Sequence, residues 1–138
     1  MVHHGRMSEL TRIPAPEGVA AAAQYSHVVI GSGRFVAIAG QLPLDEHGRL
    51  VGEGDPEAQA RQVFANLGHC LAAAGANFDD VVKLTYFVTD MADMPAIRAA
   101  RAAHLPDDRL PAASAVQVAA LVRPDVLMEI EAFAVVPE

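Results

Sequence analysis

Apolar and polar residues alternate along several short stretches of this chain, which is typical of strands that bury one face of a sheet. The clearest stretch is Val81–Thr89, where every second residue from Val82 to Val88 is apolar and falls on one face. The opposite face carries Lys83, Thr85 and Thr89. The sequence therefore predicts a strand here, with Val82, Leu84, Tyr86 and Val88 turned toward a core.

The end of the chain predicts two more strands, within Leu110–Val136, joined by a short turn. The second strand places Glu129 and Glu131 on the same face, because side chains alternate along a strand. Near the start, Ser26–Pro43 contains two β-branched runs around Gly31-Ser32-Gly33, which predicts a hairpin. A phosphate-binding loop is disfavoured there, because the G-x-G-x-x-G spacing and a following helix are missing.

Two helices are predicted between these strands. The first begins at Asp55, a capping residue ahead of Pro56, and ends at Gly75. Its apolar residues recur at the spacing of one helix face: Ala60, Val63, Phe64, Leu67, Cys70, Leu71 and Ala74. The second helix is predicted from about Asp93 to His104, with an inward face formed by Met94, Ile97 and Ala100.

The predicted order is thus β-β-α-β-α-β-β, which favours an α+β fold of two layers, a mixed sheet with both helices on one face. The other face of the sheet would be uncovered in a monomer. It is expected to carry Leu127 and Phe133 beside the two acids, so it is a candidate surface for oligomer formation.

Length and composition predict one globular domain over residues 1–138, with 52% hydrophobic and 20% charged residues. Residues 1–10 are expected to be flexible or a remnant of cloning, with Met7 as an alternative start. The net charge is −7 without a cluster of Lys or Arg, which disfavours nucleic-acid binding. No apolar run approaches the roughly 20 residues of a membrane span, and no signal peptide is evident, so we expect a cytoplasmic protein without membrane association.

The cysteine and histidine content points away from metal or disulfide chemistry. The single Cys70 has no internal partner and is expected to act as a small buried apolar group. The six histidines have no ligand spacing, so no metal site is predicted. No serine lies in a nucleophile motif, and no cofactor is expected.

Glu129 and Glu131 allow two interpretations. They can be a structural pair on an exposed face or at a subunit contact. Alternatively, one of them is partly desolvated in a cleft, which favours its protonated form and lets it shuttle protons or position water.

Four blocks of the sequence, in this order, add a more specific indication: AGQLPLDEHGRLVGEG, QARQVFANLGHCLAAAG, DDVVKLTYFVTDM and SAVQVAAL…MEIEAFAV. From about Tyr25 onward they resemble the RidA/YjgF (L-PSP) family of imine and enamine deaminases. The resemblance implies a chorismate-mutase-like subunit in a homotrimer, whose sheets line a central barrel. It also implies that a small-molecule ligand binds in pockets at the subunit interfaces.

Two positions match the pocket of that family. Tyr25 corresponds to its pocket tyrosine, which would wall the substrate site and donate a hydrogen bond. Glu129 corresponds to the glutamate that would place the hydrolytic water, which makes Glu129 and Tyr25 the candidate catalytic residues. Glu131 is then expected to be structural.

Two other positions depart from the family's pattern. Its Pro-Ala-Arg-Ser, whose arginine binds the substrate carboxylate, is here Pro111-Ala112-Ala113-Ser114, and its Ser-Gly-Gln is Ala39-Gly40-Gln41. Ala113 and Ser114 therefore mark a substrate-binding position without a cation, while the backbone N–H of Gly40 remains available to a substrate. Arg109 or Arg123 is a candidate to replace the missing arginine.

Three functions follow from these observations. The first is an arginine-lacking deaminase that hydrolyses a neutral or less acidic imine or enamine, distinct from a typical 2-aminoacrylate deaminase. The second is a non-catalytic trimer that binds a metabolite as a sensor or regulator. An endoribonuclease is a weaker third, because the chain is acidic and has no basic track.

Overall fold

A computed structural model describes residues 10–138, so the predicted flexible start lies, apart from Leu10, outside the described residues. The secondary structure is given in chain order by eight elements: β1 Thr11–Ile13, β2 Val28–Ile30, β3 Arg34–Gln41, α1 Pro56–Ala73, β4 Val81–Val88, α2 Met94–Arg101, β5 Ala112–Gln117 and β6 Met128–Val136. Short 3₁₀ turns precede β4, α2 and β5.

The main sheet has the strand order β3-β6-β4-β5. β6 pairs antiparallel with both β3 and β4, whereas β4 and β5 run parallel. Helices α1 and α2 pack against each other, and α1 also contacts β3 and β6. The predicted α+β fold with a mixed sheet and two helices is therefore confirmed.

The predicted hairpin between β2 and β3 is wrong. β2 pairs with β1 in a separate two-stranded sheet, and β3 pairs with β6. The glycines serve close packing rather than a hairpin turn, because a Cβ on Gly33 would overlap the backbone carbonyl of Val136. β1 was not predicted, since a strand of three residues is too short to show an alternating pattern.

Helix α1 begins as predicted, with the Asp55 carboxylate accepting a hydrogen bond of 3.1 Å from the backbone N–H of Ala58. Most of the predicted apolar face is fully buried, but Cys70 and Ala74 are only partly buried at the edge of the core. Gln59 was not predicted to be buried, yet it is completely enclosed.

At the start of strand β4, the buried residue is Val81 rather than the predicted Val82. A register shift between Val81 and Lys83 turns Val81 into the core, so Val82 is only half-buried, while Leu84, Tyr86 and Val88 are buried as predicted. In α2 the predicted inward residues are all buried, namely Met94, Ile97 and Ala100.

The face of the sheet opposite the helices is open in the single chain. Alternation along β6 buries its even-numbered residues and turns Glu129, Glu131 and Phe133 to the open face. Phe35 of β3 lies beside Phe133, with ring centroids 5.6 Å apart, and remains 67% exposed. Leu127, expected on this face, instead packs partly buried against the core, because it precedes the strand.

Candidate functional site

Glu129 lies directly against Gly40, one strand away on the open face. A register shift between Ile38 and Gln41 places Gly40 outside the regular β3–β6 ladder. A Cβ at Gly40 would come within 2.6 Å of the carboxyl carbon of Glu129, so only glycine permits this approach. The half-buried carboxylate has no hydrogen-bond or ion-pair partner among residues 10–138 and is available to a ligand.

An open groove of about 750 Å³ begins at Gly40 and is lined mainly by polar residues at the end of β3 and on α1. Asn66 of α1 fixes the chain that follows β3 at the side of the groove. Its side-chain amide donates hydrogen bonds to the carbonyls of Leu42 at 3.0 Å and Leu44 at 2.9 Å. Gly40 is therefore at the border between the Glu129 carboxylate and a region open to solvent.

Tyr25, Ala113 and Ser114 line a second, smaller cavity of about 180 Å³ beside the edge strand β5. The chain around Tyr25 is fixed to the start of this strand by Ser26. Its backbone N–H donates to the Pro111 carbonyl at 3.0 Å, and its hydroxyl donates to the Leu110 carbonyl at 2.7 Å. Tyr25, Ala113 and Ser114 are thus neighbours in space in the single chain.

The five predicted site residues form two groups in the single chain. Gly40 and Glu129 meet on the open face of the sheet. Ala113 pairs in register with the buried Leu84, so its side chain points to the helix side, where the cavity lies. Glu129 does not line that cavity. One chain alone therefore does not bring the predicted catalytic pair together.

Three residues that the sequence analysis did not select also line the smaller cavity: Tyr86, Arg98 and Arg101. Tyr86 is 3% exposed, and burial raises the pKa of its hydroxyl, although the positive charge of Arg101 opposes this effect. The hydroxyl therefore stays protonated near neutral pH. A sequence signal for Arg101 existed, because it lies four residues after Ile97 on the buried stripe of α2.

The two candidate replacement arginines both form ion pairs away from this cavity. Arg109 forms an ion pair of 3.1 Å with Asp79. Arg123 donates twice to Asp125, at 3.1 Å and 2.8 Å, and this hydrogen bonding lowers the pKa of the Asp125 carboxyl. Neither arginine lines the cavity that contains Ala113.

Two further searches cover the part of the chain that the structure describes. No three His, Cys, Asp or Glu side chains in residues 10–138 converge as a metal site would require. In the same residues, no helix is both long and apolar enough to cross a membrane.

This fold and the order of the four sequence blocks define a class of small α+β proteins, and residues 15–136 match the family model described as endoribonuclease L-PSP. The chain therefore belongs to the RidA/YjgF (L-PSP) family. The chain is 40% identical over 132 residues to the 2-iminobutanoate/2-iminopropanoate deaminase of Mus musculus, covering 94% of this chain and 95% of that protein.

Two other comparisons agree. The chain is 44% identical over 100 residues to the 3-aminoacrylate deaminase RutC of Acinetobacter baylyi, covering 72% of this chain and 78% of that protein. The crystal structure of the Rid family protein YyfB from Yersinia pestis superposes with a TM-score of 0.80 at 38% identity, covering 91% of this chain and 98% of that one. Relatives of this chain thus carry names of imine and enamine deaminases.

Proposed function

We propose that this protein is a deaminase that hydrolyses a small imine or enamine in a pocket at the subunit interface of a homotrimer. The names of its relatives support the reaction type. The contact between Glu129 and Gly40 is the observation that carries the proposal, because it presents an unpartnered carboxylate beside a backbone segment outside the regular ladder.

Hydrolysis of an imine needs a base for water and a proton for the leaving nitrogen. The Glu129 carboxylate accepts a proton as the water oxygen bonds to the imine carbon, and the C=N double bond becomes a single bond. The same proton then passes to the nitrogen, which gives a carbinolamine with an –OH and an –NH2 group on one carbon. The hydroxyl proton next passes through Glu129 to the nitrogen, the C–N bond breaks as the C=O bond forms, and ammonia leaves a carbonyl product. An enamine first takes a proton on carbon to give the imine. In this proposal the N–H of Gly40 polarises the substrate by donating a hydrogen bond to it.

An interface would unite the two groups of site residues. We propose that the open face of one subunit places Glu129 and Gly40 against the Tyr25 cavity of the next subunit. The exposed Phe35 and the exposed residues Ser114–Gln117 of the edge strand support such a contact, since both an apolar patch and a strand edge favour a partner. Because residue 113 is alanine, β5 does not supply a cation for the substrate.

Turnover of 2-iminobutanoate, generated by an amino-acid oxidase, tests this function. Glu129→Gln is expected to abolish the protein's acceleration of 2-oxobutanoate formation. Glu131→Gln is the matched control, a carboxylate two residues away on the same face, and should retain it. Equal rates for Glu129→Gln and the unmodified protein would reject the role of Glu129.

The same experiment separates the alternatives when an uncharged imine is included. Saturable binding of these compounds without turnover by the unmodified protein would favour a metabolite sensor. Cleavage of RNA that survives Glu129→Gln would favour the endoribonuclease named in the family description. Mixed trimers of Glu129→Gln and Tyr25→Phe chains should regain part of the activity, because some interfaces then combine an intact Glu129 with an intact Tyr25.

A further inference from the structure

The small cavity beside Ala113 is lined by two cations and by no acidic residue. Arg98 and Arg101 come from successive turns of α2 and face β5 across the cavity. An alanine at position 113 leaves the space between strand and helix open, since its side chain points to the helix side. The cavity is therefore positively charged even though β5 contributes no cation.

Arg101 is held in place by two of its three guanidinium nitrogens, and the third nitrogen has no partner within residues 10–138. Its two terminal nitrogens donate to the backbone carbonyl of Gln24 at 3.0 Å and to the side-chain oxygen of Gln24 at 2.9 Å. Arg101 is 5% exposed, and its Nε atom has no hydrogen-bond partner among the described residues. A buried cationic donor without an acceptor is costly, so the site is suited to a ligand that accepts a hydrogen bond.

The hydroxyl of Tyr86 is a second buried donor beside the same cavity. It has no partner at full hydrogen-bond geometry within residues 10–138. The Arg101 guanidinium lies close enough to oppose the burial effect on the pKa of Tyr86 through its charge and through hydrogen bonding to the phenol oxygen, which leaves the O–H itself free to donate. Arg98 is half-buried, and no ion pair or hydrogen bond ties its side chain to any residue that the structure describes. Two unsatisfied buried donors and a free cation thus surround one cavity.

We propose that this cavity binds a carboxylate group, with Arg98 as the free cation and with Arg101 Nε and the Tyr86 hydroxyl as fixed donors. Charge-assisted hydrogen bonds of this kind are the strong ones, and guanidinium groups suit carboxylates. The volume of about 180 Å³ admits only a small molecule. A conclusion about the substrate follows, and it rests on the proposed deaminase function. The substrate is a short imino or enamino acid rather than a neutral imine.

This inference revises the expectation from the sequence. The missing arginine at position 113 favoured a neutral or less acidic substrate, and whether Arg109 or Arg123 replaces it was left open. Both of those are engaged with aspartates elsewhere. In this chain the cations lie on the facing helix α2 and none lies on β5, so the cavity is positively charged although position 113 is alanine.

Equilibrium titration with 2-oxobutanoate, a stable keto acid, tests the site on the full-length protein. Arg98→Met removes the charge but keeps much of the apolar stem, and Tyr86→Phe removes only the hydroxyl. We expect Arg98→Met to weaken binding about tenfold or more, and Tyr86→Phe by a smaller factor. Arg61→Met is the matched control, because Arg61 is an exposed arginine on α1 paired with Glu57, and it should bind as the unmodified protein does.

The methyl ester of 2-oxobutanoate completes the test, since it has the same carbon skeleton without the charge. Binding of the ester as tight as that of the acid, or equal binding of the acid to all variants, would overturn the carboxylate site. If binding of the acid depends on Arg98, the carboxylate site is supported. If Glu129→Gln leaves turnover unchanged, only the deaminase mechanism is rejected, and the carboxylate site still stands. Turnover that depends on Glu129 but is indifferent to Arg98→Met in both KM and kcat would reject only the carboxylate site.

Discussion

The carboxylate of Glu129 occupies the space where a side chain on Gly40 would otherwise lie. This contact joins two residues far apart in the sequence through the β3–β6 pairing and its register shift. It fixes the position of the candidate base against the backbone, which is the kind of constraint that a proton-transfer step requires.

Gly40→Ala is expected to displace Glu129 without unfolding the protein. A methyl group there would collide with the carboxylate, and a shift of about 1 Å in a catalytic group can cost roughly a hundredfold in rate. Turnover of 2-iminobutanoate should fall by about that factor, whereas the melting temperature should change little.

Gly68→Ala provides the matched control for this substitution. Gly68 lies inside α1, where an added Cβ would meet the ring of Phe78 at 3.4 Å. Alanine is favoured over glycine within a helix, so stability should be kept or raised by up to about 1 kcal/mol while turnover is unchanged. Equal loss of activity in both variants would argue against a special role for the Gly40 contact.

Phe35→Asp is expected to convert the proposed homotrimer into monomers. The Phe35 ring is 67% exposed and packs beside Phe133 on the open face, and a carboxylate buried there in a subunit contact would be costly. Sedimentation of the unmodified protein should give three times the 14.5 kDa of one chain, and the variant should give one.

Val122→Asp is the control for this loss of assembly. Val122 is 73% exposed but lies outside the sheet, between β5 and β6, so the trimer should persist. A monomeric unmodified protein would contradict the interface itself, and with it the proposed meeting of Glu129 with Tyr25 of the next subunit.

Gln59→Leu is expected to destabilise the fold strongly despite being a polar-to-apolar change in the core. The fully buried amide donates to the carbonyls of Gly52 and Asp125, both at 3.0 Å, and accepts from the N–H of Leu127 at 2.9 Å. Each buried group left unsatisfied costs about 1–3 kcal/mol. Denaturant unfolding should show a loss of at least this size.

Gln62→Leu on the same helix is the comparison for that effect. Its amide is only partly buried and bonds mainly to Asn66 at 2.9 Å, so its partners can turn to water. We expect a loss of less than about 1 kcal/mol. A similar small loss in Gln59→Leu would show that the three buried bonds do not hold β6 in place.

The pair between Arg123 and Asp125 is expected to contribute to stability at neutral pH and to fail in acid. Hydrogen bonding from Arg123 lowers the pKa of Asp125 in the folded state. The stabilisation is therefore present above the unfolded pKa of about 4 and is lost as the pH falls through the lower folded value. Asp125→Asn should be less stable than the unmodified protein at neutral pH, and the difference should vanish in acid.

Arg123→Gln should show the same pH dependence, because it removes the other partner of the bond. Its turnover should equal that of the unmodified protein, since Arg123 does not line the cavity beside Ala113. A difference that stays constant through the acid range would contradict the ion pair as its cause.

The sequence by itself determined the parts of the fold that depend on local periodicity. The cap at Asp55, the buried stripe of α1 and the alternation of β6 were all predictable, because each follows from the spacing of neighbouring residues. For the same reason, the sequence alone shows that Glu129 and Glu131 share one face of their strand.

Only the tertiary structure decided which segments meet. The pairing of β2 with β1, the approach of Glu129 to Gly40, and the position of Arg98 opposite Ala113 all join residues distant along the chain. Such contacts depend on strand order, register shifts and the packing of α2, none of which local periodicity specifies. The positive charge of the candidate binding cavity is therefore a property of the folded chain. It comes from Arg98 and Arg101 on helix α2, which line the same cavity as Ala113 of β5.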